Sequence, residues 1–220
     1  MAMDWTAAVD AYCERVGPHF WAEPVNAITN AAFLIAALAA ARDWRARGTG
    51  GLAVPVLIAL VALVGIGSFL FHTFATRWAG LADVLPIVAF IYLYFFFAMR
   101  TILRLGIWAS LGVTAGFFGA SALIAPLASD LIGSSGGYAP AALAIFAVAV
   151  AARWRAPALA APLAVVGAVF LVSLAFRTGD ILLCPTFPLG THFVWHCLNA
   201  LVLYLLIRAL LRAAPAATGA

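Results

Sequence analysis

Of the 220 residues, 66% are hydrophobic and 9% charged, and the mean hydropathy is +1.11. Soluble domains carry about 45–50% apolar and about 25% charged residues, so this composition excludes a soluble fold, a disordered chain and a disulfide scaffold. The formal charge of +4 comes from twelve arginines against eight acids. The arginines are spread singly or in short clusters, which reads as membrane topology and excludes a nucleic-acid partner. Lysine is absent, which removes retinal Schiff-base chemistry.

Residues 1–23 have neither a basic n-region nor an apolar h-region, and read as a short external segment rather than a cleaved signal. Spanning runs are then expected at about 24–42, 52–73, 81–100, 104–126, 138–153, 158–177 and 191–211. Breaks separate them at Arg42 to Gly51, Arg77 to Gly80, Arg100 to Arg104, Ser129 to Gly137, Arg153 to Pro157 and Gly179 to Gly190. All connections are short and no repeat or linker intervenes, so the expectation is one domain, 1–220, an all-α seven-transmembrane helix bundle. Arg42, Arg45, Arg47, Arg100, Arg104, Arg153, Arg155, Arg208 and Arg212 fall on one side of these spans, and Arg15, Arg77 and Arg177 on the other. Cytoplasmic loops carry the arginine excess, which puts the N-terminus outside and the C-terminus in the cytoplasm. Every acid except Asp43 maps to the outer side or the outer helix ends. That half of the bundle is where a function is sought.

His72 closes the second span, and His192 and His196 open the seventh. A spacing of four puts His192 and His196 on one helix face, as it does Ser68 and His72. With this topology the three imidazoles share one depth in the outer leaflet, and Asp83, in the first turn of the third span, starts at the same level. A single histidine at a helix end is more often an interfacial anchor. A pair converging with a third at matched depth points instead to zinc held by three protein ligands, with a fourth position open.

The stretch from Gly65 to Pro86, with Ser68, His72, Asp83 and Pro86, resembles the central motif of the alkaline ceramidases. His192, Trp195 and His196 resemble their last-helix motif, and Tyr12, Cys13, Glu14, Glu23, Pro24, Asn26 and Asn30 their N-terminal one. Adiponectin-receptor-like and haemolysin-like proteins share the Ser, His, Asp and paired-His arrangement, while the Cys-Glu and Glu-Pro elements point to the ceramidase branch. The resemblance implies zinc on His72, His192 and His196 and cleavage of the N-acyl bond of ceramide-like lipids to a sphingoid base and a fatty acid. Zinc lowers the pKa of bound water to about 7 and polarises a carbonyl. Asp83 would carry the proton from water to the leaving nitrogen. Ser68 would donate to the developing oxyanion, or serve only as a small packing residue. The chain departs from the family pattern at Val84, where many relatives carry an acid.

In the resembling family an N-terminal acidic cluster binds calcium, and Asp10, Glu14, Glu23 and Asn26 offer oxygens for it here. The chain has Ala11 where the family usually has an aspartate; the alternative is a solvated loop with Glu23 capping the first span beside Pro24. Cys13 and Cys184 both fall on the outer side, where a disulfide can persist, and Cys197 is expected as a free, buried thiol. Asp180 resembles a family position with either a hydrogen-bonding or a metal role. Tyr92, Tyr94 and Phe95 to Phe97 could line a lipid cleft but are more often packing or lipid-facing residues, and Gly112, Gly116 and Gly119 are expected to permit close helix contact. The first reading is therefore a zinc-dependent amide hydrolase in the lipid bilayer, its site on the extracytoplasmic side. The alternatives are a receptor-like or structural protein with non-catalytic zinc, and a hydrolase of another acylated lipid. A transporter would carry polar groups near mid-membrane on several helices, which are lacking. Nothing in the sequence sets the oligomeric state.

Overall fold

The computed structural model describes residues 3–214; the ends of the expected domain, 1–2 and 215–220, lie outside the described residues. Apolar runs in lipid must satisfy their own backbone, and the described chain does so almost entirely with helices. These are α1 (Pro24–Thr29), α2 (Ala31–Arg47), α3 (Ala53–Phe74), α4 (Arg77–Thr101), α5 (Ile107–Ile132), α6 (Ala139–Arg155), α7 (Pro157–Leu183) and α8 (His192–Ala213), with a 3-10 helix at Gly133–Tyr138. Prolines in the first turns of α1, α6 and α7 give up N–H groups that would have no partner there.

Among the described residues six helical segments are long and apolar enough to cross a membrane: Pro24–Arg47, Ala53–Phe74, Arg77–Thr101, Ile107–Arg155, Pro157–Leu183 and His192–Ala213. The fourth has 49 residues and contains α5, the 3-10 helix and α6. A straight helix of that length would run about 73 Å, more than twice a hydrocarbon core. The 3-10 helix folds back on the end of α5 instead. A Cβ at Gly136 would fall 2.5 Å from the Ala128 carbonyl carbon, so only glycine allows this approach.

Helix α8 packs against α2 and α7, and more lightly against α3 and α4. Much of it is buried, with Leu206, Ile207, Leu210 and Leu211 in the apolar core beside Phe33, Leu57 and Leu163. Helix α5 lies at the periphery, burying only Ser110 and Ser121. This corrects the expectation for Gly112, Gly116 and Gly119, where an added Cβ would meet nothing within 4 Å. Close helix contact occurs on α3. There a Cβ at Gly65 would lie 2.9 Å from that of Phe33, and one at Gly67 2.6 Å from the Ala82 carbonyl carbon.

Several helices run beyond their expected ends. The break expected at Arg77 to Gly80 is helical, because the N-terminal segment supplies acceptors to the start of α4. Arg77 N–H donates to the Ala7 carbonyl at 3.2 Å and Trp78 N–H to that of Trp5 at 3.1 Å, while Val9 N–H donates to the Ala75 carbonyl at 2.7 Å. Asp83 consequently sits in the second turn of α4, not the first. Helix α5 continues to Ile132 through Pro126, and α7 to Leu183, so Asp180 is helical rather than in a loop.

Candidate metal centre

Because α3 and α8 run in opposite directions, the end of one and the start of the other meet at the same end of the bundle. His72, His192 and His196 converge there, with one possible ligand atom from each within 4.8 Å of the others. The ring centroids are 5.2, 4.8 and 4.6 Å apart for the pairs His72–His192, His72–His196 and His192–His196. All three are fully buried, at 1 to 2% exposure.

Two rings have one nitrogen fixed and the other left over. His72 Nδ1 donates to Glu23 Oε2 at 2.5 Å. The Thr29 hydroxyl donates to the Val25 carbonyl at 2.7 Å, so its oxygen accepts from His196 Nδ1, 2.9 Å away. Both rings are thereby held as tautomers whose Nε2 carries a lone pair. His72 Nε2, His196 Nε2 and His192 Nδ1 are buried with no hydrogen-bond partner. Three unpartnered imidazole nitrogens enclosed together would be costly unless a further group met them. The donor set fits a transition-metal ion, zinc among those that favour imidazole nitrogen.

The supports around the rings come from the N-terminal segment and from α7. Tyr12 stacks on His192 with centroids 3.8 Å apart and lies 5.0 Å from His72. Burial pushes the Tyr12 phenol above its usual pKa, so it stays a neutral hydroxyl. Asp180 accepts from Thr191 N–H at 2.7 Å and His192 N–H at 2.9 Å through Oδ1, and from Cys13 N–H at 2.9 Å through Oδ2. It therefore caps the start of α8 and ties it to the N-terminal segment. The Cys13 and Cys184 sulfurs are joined, with Cα atoms 5.5 Å apart. Cys197 is free but exposed rather than buried, and takes no part in the site.

Ser68 is buried on α3, and the Asp83 carboxyl on α4 is coupled electrostatically to its hydroxyl and to the His72 ring. The close approach of α4 to Gly67 makes this possible. Asp83 itself is only partly buried.

Of the oxygens expected for calcium, those of Glu14 and Glu23 have other uses, while Asn26 Oδ1 is buried without a partner. Glu14, not Glu23, caps α1, taking the Val25 and Asn26 N–H groups at 2.7 Å each on its two oxygens. Burial works against the Glu23 carboxylate, but His72, Arg15 and Asn26 outweigh it and hold its carboxyl below the usual pKa. Asp10 is exposed, and Asp10, Glu14 and Glu23 do not form a cluster around one position. With both oxygens of Glu14 and of Glu23 engaged, the oxygens left over fall short of the six to eight that calcium takes.

Two site residues were legible in the sequence only as topology markers. Arg15 pairs with Glu23 at 2.5 Å and donates to the His72 carbonyl at 3.0 Å. Arg177 donates to the Ser134 hydroxyl at 2.8 Å and lies over the rings of Tyr138 and Trp195, 5.2 and 5.8 Å from their centroids. The only signal for either was an arginine on the acidic, arginine-poor side. Thr29 left no signal.

These features define a multi-pass helical membrane protein whose polar residues gather around three imidazoles at one end. The chain belongs to the ceramidase family, whose model matches residues 5–214, nearly the whole length. Membership makes it a hydrolase of amide bonds, acting on ceramide in a membrane. No curated protein matches the chain.

Proposed function

We propose that the chain is a zinc-dependent hydrolase that cleaves the N-acyl bond of ceramide-like lipids, with His72, His192 and His196 holding the metal. The observation that carries this reading is the set of three enclosed imidazoles, each with a buried nitrogen that has no protein partner. A zinc ion held there supplies a Lewis acid for the scissile carbonyl and makes water acidic enough to act as nucleophile near neutral pH. Everything else falls to the chain. An Asp83 carboxylate oxygen takes a proton from the attacking water and returns it to the nitrogen as the C–N bond breaks and the C–O bond forms. Ser68 donates its hydroxyl hydrogen either to Asp83, orienting it, or to the oxygen that gains charge. Tyr12, packed flat on His192, excludes water from that side.

Where the acyl chain goes follows from the next turn down. An apolar cavity lined by Ile87, Phe90, Tyr94, Phe95, Phe170 and Asn199, among others, runs between α4 and the last three helices. Ile87 lies four residues beyond Asp83 and Asn199 three beyond His196, so the cavity begins about one turn below the site. A fatty acyl tail enters there while the polar end stays at the centre. Tyr94 and Phe95 are buried against this cavity rather than lipid-facing. Counted as separate spans on either side of the 3-10 helix, α5 and α6 bring the total to seven. The arginine distribution then places the N-terminus and the site outside and the C-terminus in the cytoplasm.

A structural zinc site would be closed by a fourth protein ligand. Cys197 is exposed, and Glu23 is engaged by the far side of His72. The test is metal analysis together with mass spectrometry of products from a panel of N-acyl and ester lipids. Wild type should carry about one zinc and release a sphingoid base and a fatty acid. Changing any of the three histidines to Ala should remove both metal and turnover, and Asp83→Asn should keep the metal and lose turnover. A folded, active wild type without metal would overturn the assignment.

A further inference from the structure

The N-terminal segment places a cation against Glu23, but that cation belongs to the chain. The Arg15 side chain is 4% exposed, and its Nε contacts Glu23 Oε1 at 2.5 Å. Its other nitrogens donate to the Gly17 carbonyl at 3.3 Å and the His72 carbonyl at 3.0 Å. Glu23 uses its second oxygen on His72 Nδ1 and on the Asn26 amide. One guanidinium thus gathers a carboxylate and two carbonyls, the kind of oxygen set a hard cation would otherwise collect. Glu14, the other buried acid nearby, spends both oxygens on the start of α1.

We propose that Arg15 is a permanent internal cation that makes this segment independent of calcium, and that it acts through Glu23 as a positioning residue for His72. A fixed guanidinium neutralises a carboxylate that is 2% exposed and leaves it free to accept from the ring. The same side chain grips the His72 backbone, so ring and carboxylate are held by one group. Outer partners of metal-bound histidines typically contribute 10–100-fold to metal affinity. Arg15 sits one step further out, and its removal leaves Glu23 an unpaired buried charge with its geometry to His72 unsupported.

This inference rests on the metal centre proposed above, and the experiment separates the two. Detergent-purified chain, stripped of metal and reloaded with cobalt, would be titrated by visible absorption; its melting temperature would also be followed while CaCl2 is added in buffer passed over chelating resin. Wild type should bind cobalt and melt at the same temperature from zero to 5 mM added calcium. Arg15→Leu should bind cobalt about 10–100-fold more weakly with altered visible bands, and Arg15→Lys, which keeps the charge, should recover most of that loss. A saturable rise in wild-type melting temperature with calcium would overturn the proposal, and so would Arg15→Leu binding cobalt like wild type. The calcium arm needs no variant, so it decides even where Arg15→Leu does not fold. Wild type that binds no cobalt would overturn the metal centre itself.

Discussion

A methyl group at Gly67 should separate catalysis from metal binding. The added Cβ would lie 2.6 Å from the Ala82 carbonyl carbon and 3.0 Å from the Asp83 nitrogen. Ordinary carbon contacts sit at about 3.5–4.0 Å, so the backbone of α4 has to retreat by about 1 Å. No side chain can swing aside, because the obstacles are backbone atoms. Asp83 belongs to the displaced turn, and its carboxyl withdraws from Ser68 and the imidazoles by a similar amount. Overpacking costs about 1–3 kcal/mol, and replacing a helical glycine returns up to about 1 kcal/mol, so the fold should survive. A displacement of about 1 Å at a catalytic group costs about 100-fold in rate. The metal ligands lie on α3 and α8, and so Gly67→Ala should keep one metal per chain while kcat on a fluorescent short-chain ceramide falls about 100-fold. Gly116→Ala is the control, since nothing lies within 4 Å of its Cβ; it should leave turnover unchanged and not lower the melting temperature. Wild-type turnover in Gly67→Ala, or metal lost in step with activity, would refute the argument.

Other substitutions probe the supports of the rings. Thr29→Val removes the acceptor for His196 Nδ1 and should weaken metal binding about 10–100-fold, read by competition with a chromogenic chelator. Asp180→Ala leaves three N–H groups without their carboxylate and should cost at least about 3 kcal/mol, seen as a lower melting temperature with slower refilling by metal. The Cys13–Cys184 link spans 171 positions; on chain entropy its loss in Cys184→Ser costs at most about 5 kcal/mol. A melting temperature unaffected by this change and by reductant would show that the bond contributes nothing to stability.

The histidine cluster was legible because it needs only local spacing and the parity of spans: His192 and His196 share a face by periodicity, and antiparallel α3 and α8 bring His72 to the same depth. Helix ends were misjudged where long-range partners decide them. The start of α4 is completed by carbonyls of Ala7 and Trp5, about seventy residues earlier, and no window around Arg77 contains that information. Glycine spacing misled for a related reason. Gly112, Gly116 and Gly119 have the better pattern, but whether a face is covered depends on its neighbour, and the faces that are covered belong to Gly65 and Gly67. Glu14 and Glu23 read as free oxygen ligands because nothing local reveals that the start of α1 and Arg15 already engage them.

The packing of the N-terminal segment, residues 3–22, against the start of α8 also bears on biogenesis. A ribosome makes Cys13 long before Cys184, and Asp180 and the start of α8 emerge almost at the end of synthesis. Trp5 to Val9 can dock once the start of α4 exists, but Cys13 stays without its partners until the last hairpin has been made. An oxidant that captured Cys13 early would leave the N-terminal segment unlinked from the end of α7. Quality control of such a chain can be expected to act on this final closure, after all the helices are in place.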